Sequence, residues 1–227
     1  MADVRKALEA ERETEREFVA MALSSETAPK GWPAALVMFH ISMWRERLLH
    51  AAKEVADGRP QPPSPGSVDE INDAELASGI GTPLADAAAR SDTLLGELIE
   101  VYEKLGERPI EWNAAKTTTE AVLRNSYTHP RNHMSEYMRE NGDLDGAHRL
   151  IEESAAEMRQ AGAPPLVLGT AIYNLGCVRA SQQRIDDAVG LLGEALRLRP
   201  DMREAAAVDS DLAPLRGDPR FQALVKP

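Results

Sequence analysis

The chain has 227 residues, 43% of them hydrophobic and 28% charged, which is an ordinary composition for a folded protein of one large or two small domains. Its formal net charge of −11 argues against a nucleic-acid partner, because a phosphate backbone calls for a basic face and no Lys/Arg cluster supplies one. No run approaches the roughly 18 apolar residues of a membrane-crossing helix, and the charged N-terminus lacks the apolar centre of a secretory signal. With a single cysteine no internal disulfide can form, and a cytoplasmic location is expected.

The apolar pattern predicts an all-α protein. A first helix is expected from about Asp3 to Leu23, with Asp3 as N-cap, Leu8, Phe18, Val19, Ala22 and Leu23 as its apolar positions, and its Glu and Arg residues in solvent. A second runs from about Pro33 to Ala56, where Val37, His40, Trp44, Leu48, Ala51 and Val55 recur on one helical face. That seam is apolar except for one histidine. Between Gly58 and Gly66 lie four prolines and two glycines in nine residues, which predicts an extended crossover. A third helix is expected from about Pro83 to Leu105. A fourth starts near Thr117 and carries Val122, Leu123, Ser126, Tyr127, Met134, Tyr137 and Met138 on its apolar arc. Four long amphipathic helices with one long crossover describe a four-helix bundle.

Three of the five histidines form a pattern. His40 lies in the seam of the second helix, and His129 and His133 are an H-x-x-x-H pair on one side of the fourth. Three imidazoles from two helices offer three nitrogen ligands and leave positions open for water or substrate, as in a catalytic metal site. The alternative for His40 is a hydrogen-bonded core histidine. Pro130 interrupts the pair: it removes an N–H and crowds the Ser126 carbonyl, at roughly 3 kcal/mol in a regular helix interior. Either the helix kinks there, or it ends and restarts, leaving His129 as a capping residue. Glu136 and Glu46 are the acidic residues within reach on crude geometry. His50 and His148 have no partner at useful spacing, Cys177 reads as a small buried hydrophobe, and Trp32, Trp44 and Trp112 as packing residues.

Over about residues 1–140 the chain resembles the DinB/YfiT-like superfamily of bacterial four-helix bundles, most closely the branch that includes the colibactin self-protection protein. The resemblance rests on Gly31-Trp32, on Phe39-His40-Ile41-Ser42-Met43-Trp44, on Ile71-Asn72, and on Asn125-Ser126-Tyr127-Thr128-His129-Pro130-Arg131-Asn132-His133. It implies a divalent metal, often zinc or nickel, held by His40, His129 and His133, and in some members a low-molecular-weight thiol as cosubstrate.

The last third has a different texture. From Gly169 to Met202, Leu175, Gly176, Ala188, Leu192, Ala195 and Pro200 fall at the spacing of a 34-residue tetratricopeptide (TPR) repeat, which this stretch resembles. Small residues at Gly176 and Ala188 let two antiparallel helices approach, Leu175 and Leu192 are expected to fill the space between them, and Pro200 ends the second helix. Ala147 and Ile151 suggest a degenerate earlier repeat over roughly 128–161, and Ala205–Val225 reads as a capping helix. Two domains are therefore expected, a bundle over 1–140 and TPR-like repeats over 141–227.

The reading that follows is a metal-dependent enzyme acting on a small electrophile by thiol transfer or hydrolysis, with the TPR-like segment contacting a protein partner, a second copy of the chain, or the bundle itself. The alternatives are a non-enzymatic adaptor built on the repeats, and a metal-free bundle that binds an apolar small molecule.

Overall fold

The computed structural model describes residues 3–25 and 28–226, and 77% of the chain is helical. Contacts divide it into two compact units, Asp3–Ala147 and one that starts at His148. The fold is all-α, with one two-stranded hairpin among the described residues.

In the first unit α1 spans Val4–Ser24, α2 Ala34–Ala56, α3 Val68–Glu75 and α4 Leu84–Leu105. Asp3 caps α1 by accepting the amide of Lys6. The α2 seam is buried from Val37 through His40, Trp44, Leu48 and Ala51. A final rod is built from α5 (Thr118–Leu123), a π-helical turn (Arg124–Thr128) and α6 (His129–Glu140). The helix α2 packs on α4, α5 and α6, and α1 packs on α4 and α5, so the core lies between four helical rods. Leu8, Phe18, Ile41, Leu48, Leu95 and Leu123 form part of it.

Three features depart from the expectation. Leu23 is 67% exposed rather than apolar lining, while Glu11 and Glu15 of the same helix are buried. Helix α3, after the proline-rich crossover, is held by a capping box in which Ser67 and Glu70 satisfy each other's backbone amides. Finally, β1 (Pro109–Trp112) and β2 (Ala115–Thr117) pair antiparallel around Asn113, whose positive φ makes the turn. Gln61 of the crossover pairs with the backbone N–H and C=O of Glu111, and so occupies an edge of β1.

The second unit takes most of α7 (Leu144–Gln160), then α8 (Pro165–Ser181), α9 (Ile185–Leu198), α10 (Arg203–Val208) and α11 (Pro219–Val225). Helices α8 and α9 pack tightly because Gly176 has no side chain: a Cβ there would lie 3.0 Å from Leu192. Ala188, Leu192 and Ala195 are fully buried in the cluster between them, and a 3-10 turn starting at Pro200 follows α9. Leu175 is half-buried and stands outside that cluster, which corrects its expected role; Cys177 packs against the cluster's rim. The C-terminal cover is two short helices flanking a 3-10 segment (Ser210–Leu215) rather than one helix, and it buries Leu212, Leu215 and Phe221. Gly176→Val is expected to destabilise this unit by about 1–3 kcal/mol through overpacking against Leu192. An unchanged thermal melt by circular dichroism would show that the two helices can part at no cost.

Candidate metal centre

Pro130 decides how the H-x-x-x-H segment is built. A regular α-helix would send the N–H of residue 130 to the carbonyl of residue 126, and proline has none to send. The chain neither ends nor restarts there. It widens into the π-helical turn, so that the N–H of His129 reaches the carbonyl of Arg124, and Thr128 and His129 keep right-handed helical dihedrals. The abandoned Ser126 carbonyl accepts Nη2 of Arg45 from α2 at 3.2 Å. His129 is therefore no capping residue.

With that geometry the three histidines meet. His129 Nε2 lies 3.1 Å from Nε2 of His40 and 3.1 Å from Nε2 of His133, and the ligand nitrogens of all three fall within 4.8 Å of one another. One ring nitrogen carries a single N–H or a single lone pair, so His129 Nε2 cannot bond well to both neighbours at once. A cation can accept all three lone pairs. The three histidines are thus close enough to hold a metal ion.

Electrostatics keeps these rings in the form a ligand requires. Burial, assisted by His133, pushes His40 down to about 3. Burial also holds His129 well below the usual imidazole range, with His133, His40 and Arg45 adding to the effect. Both rings are neutral at physiological pH, with lone pairs available. On the third ring, Nδ1 of His133 faces Oε2 of Glu136 at 3.6 Å, a contact that lowers the Glu136 carboxyl and favours the tautomer whose Nε2 lone pair points inward. Among the described residues the buried Nδ1 atoms of His40 and His129 have no hydrogen-bond partner, and aromatic rings pack around the triad.

Trp32 packs against two of the three histidines. Its indole stacks on His133 at 5.7 Å between centroids and 14° between planes, and meets His40 edge-on at 5.3 Å. The loop carrying it is tied to the end of α6 by Asn141, which accepts the Lys30 amide and donates to the Lys30 carbonyl. Gly31, in the left-handed region, passes where a Cβ would run into the Glu140 carboxylate. Beside His133 opens a cavity of about 390 Å³ lined by Gly31, Trp32, Val37, His133, Glu136, Tyr137 and Glu140. That volume suits a small organic molecule.

Beneath the triad lies a layer of buried charge. Arg45, 0% exposed, donates to both carboxylate oxygens of Glu15 at 2.5 and 2.9 Å and to Ser91 Oγ at 2.7 Å. Arg131, between the two histidines of α6, donates to Glu11 at 2.7 Å and to Thr14, and lies over the Tyr127 ring. Glu46 takes no part, being paired with Arg90 at the surface. His50 is exposed, and His148 contacts Gln182 in the second unit. The sequence pattern singled out the three histidines and reached Glu136. It passed over Trp32 as a wall of the site, and over Arg45, Arg131, Glu11 and Glu15. For the last pair the available signal was the i, i+4 spacing of two glutamates facing two arginines that sit within apolar helical faces.

No protein-family model matches the chain, and comparisons with curated proteins and with solved structures found no match at the significance required.

Proposed function

We propose that this protein is a metal-dependent enzyme of the DinB/YfiT-like kind, with His40, His129 and His133 holding zinc or nickel, and that it transfers a low-molecular-weight thiol to a small electrophile or hydrolyses it. The observation that carries this reading is the convergence of three imidazoles from two helices next to an open cavity. A divalent cation held by His40, His129 and His133 would supply Lewis acidity to a water or thiol. The chain's own residues do the rest. Burial keeps the imidazoles of His40 and His129 unprotonated, and Glu136 faces Nδ1 of His133 at 3.6 Å. Trp32, Val37 and Tyr137 form an apolar wall that limits water around the electrophile. The lining carries two carboxylates, Glu136 and Glu140, and no Lys or Arg, which favours a neutral or cationic substrate over an anionic one. In the second unit, the close approach of α8 and α9 at Gly176 supports reading that pair as a TPR-like unit. No described helix is long and apolar enough to cross a membrane.

Elemental mass spectrometry on untagged protein tests the metal reading. Roughly one divalent ion per chain is expected in the wild type, and near-complete loss in folded His40→Ala and His133→Ala variants, since two nitrogen ligands hold such an ion far more weakly than three. A wild type that stays empty after incubation with zinc, nickel and cobalt sinks the proposal.

A further inference from the structure

We infer that Arg45 is a positioning residue for the histidine triad: its guanidinium takes the Ser126 carbonyl that Pro130 leaves without a donor, and thereby holds the π-helical turn that aims His129 between His40 and His133. The inference rests on the metal-site reading proposed above and adds a residue to it.

Pro130 leaves a defect in the helix. Ser126 is fully buried, and a buried carbonyl deprived of its helical N–H must find another donor or weaken the fold. The fork of Arg45 answers it in a way no apolar side chain can. Its Nη2 reaches both Glu15 Oε1 and the Ser126 carbonyl, while Nη1 serves Glu15 Oε2 and Ser91 Oγ. One side chain of α2 thus ties α1, α4 and the π-helical turn together. The neighbouring residue of α2 adds a second latch: the Trp44 carbonyl accepts Nδ2 of Asn125, also in that turn, at 3.2 Å. Both latches sit on the helix that presents His40, so the spacing between His40 and His129 is set through α2 itself. A buried guanidinium is costly to desolvate, and a hydrophobe of the same volume would serve a plain core equally well. What the arginine adds here is direction, because its donors are fixed in a plane and point at three separate acceptors.

The test uses Arg45→Lys, Pro130→Ala and their combination in the full-length protein, with cobalt(II) as the probe read by its visible absorption. Lysine keeps the positive charge opposite Glu15 but has no fork to reach Ser126 as well. Arg45→Lys is expected to weaken cobalt binding about 10–100-fold, the usual effect of losing an outer-sphere support. Pro130→Ala returns an N–H to residue 130, lets Ser126 rejoin a regular helical ladder and is expected to dissolve the π-helical turn, weakening cobalt binding to a similar extent, so that in this background the same lysine substitution costs less than about 3-fold more. A merely structural role would make the lysine equally costly in both backgrounds, and that result overturns the inference, as does an Arg45→Lys protein with unchanged affinity. If Arg45→Lys does not fold, Pro130→Ala alone carries the test: it must fold and bind cobalt more weakly than the wild type, and an unchanged affinity overturns the inference. If the wild type binds no cobalt, the metal-site reading falls, and the positioning claim is read from the imidazole ¹⁵N shifts of His129. Those must move in Arg45→Lys and in Pro130→Ala and move little further in the double variant, and shifts that stay put in all four proteins overturn it.

Discussion

Glu15→Met is expected to lower the stability of the first unit by about 3–5 kcal/mol, and its Tm by roughly 6–20 °C. The size follows from which partner is left behind. Arg45 has no solvent access and gives up two of its hydrogen bonds when Glu15 goes. A buried carboxylate can escape such a fate by taking up a proton, but a guanidinium cannot shed one near neutral pH. The charge therefore stays, supported only by Ser91 and the Ser126 carbonyl. Glu15→Gln, which keeps the shape and one acceptor, is expected to lose less. Adding Arg45→Met to Glu15→Met is expected to recover part of the loss, because the unpaired charge is then gone. Thermal melts of these proteins decide the matter, and a drop below about 1 kcal/mol in Glu15→Met would show that water reaches Arg45.

The neighbouring pair predicts an unusual dependence on pH. Glu11 is fully buried; its Oε2 takes Arg131 Nε, while Oε1 has no partner among the described residues. Burial outweighs the attraction of Arg131 and, reinforced by the nearby negative charge of Glu15 and opposed by Arg45, pushes Glu11 up to about 8. The groups facing it are thus Glu15 on its own helix, Arg45 on α2 and Arg131 on α6. A carboxyl whose folded pKa lies above its unfolded value binds its proton more tightly in the folded state. Its contribution is complete below the ordinary value near 4.5 and disappears as pH rises through about 8. Most buried acids in ion pairs behave in the opposite sense. Against a Glu11→Gln variant, which cannot titrate, the wild type is expected to hold its own at pH 5 and to fall progressively behind by pH 9. Parallel stability curves for the two proteins across that range would show that the Arg131 pair keeps Glu11 ionised.

How much of this was legible in the residues differs from one element to the next. The long helices were, because their apolar positions repeat at helical spacing and burial rewards that repeat directly. The histidines were legible as a set, since His129 and His133 stand one turn apart and His40 interrupts an otherwise apolar seam. The consequence of Pro130 was not. A kink, a break and a π-helical turn all begin from the same missing N–H, and the choice among them depends on a donor 81 positions distant in the chain. Glu11 and Glu15 were hidden for a related reason. Charge is the strongest sign that a helical face is wet, and only a partner arginine from another helix overrules it. The hairpin at Asn113 was missed because each strand is short and half-exposed, too brief for an alternating pattern to register. The capping box at Ser67 and Glu70 was missed as well, although its S-x-x-E spacing announces α3.

The three tryptophans of the chain form a row of ring contacts through this one site: Trp32 lies against His133 and His40, Trp44 against His40, and Trp112 against Trp44. All three belong to the first unit, and no tryptophan occurs after residue 112. Indole fluorescence is therefore a local instrument in this molecule. Quenching by an open-shell ion such as cobalt or nickel reads the neighbourhood of the histidines with no added dye. The same emission is blind to everything from His148 onward, whereas circular dichroism sums the helices of both units. Two unfolding curves that fail to superimpose are then the signature of two units melting separately, and do not require a partly folded form of either.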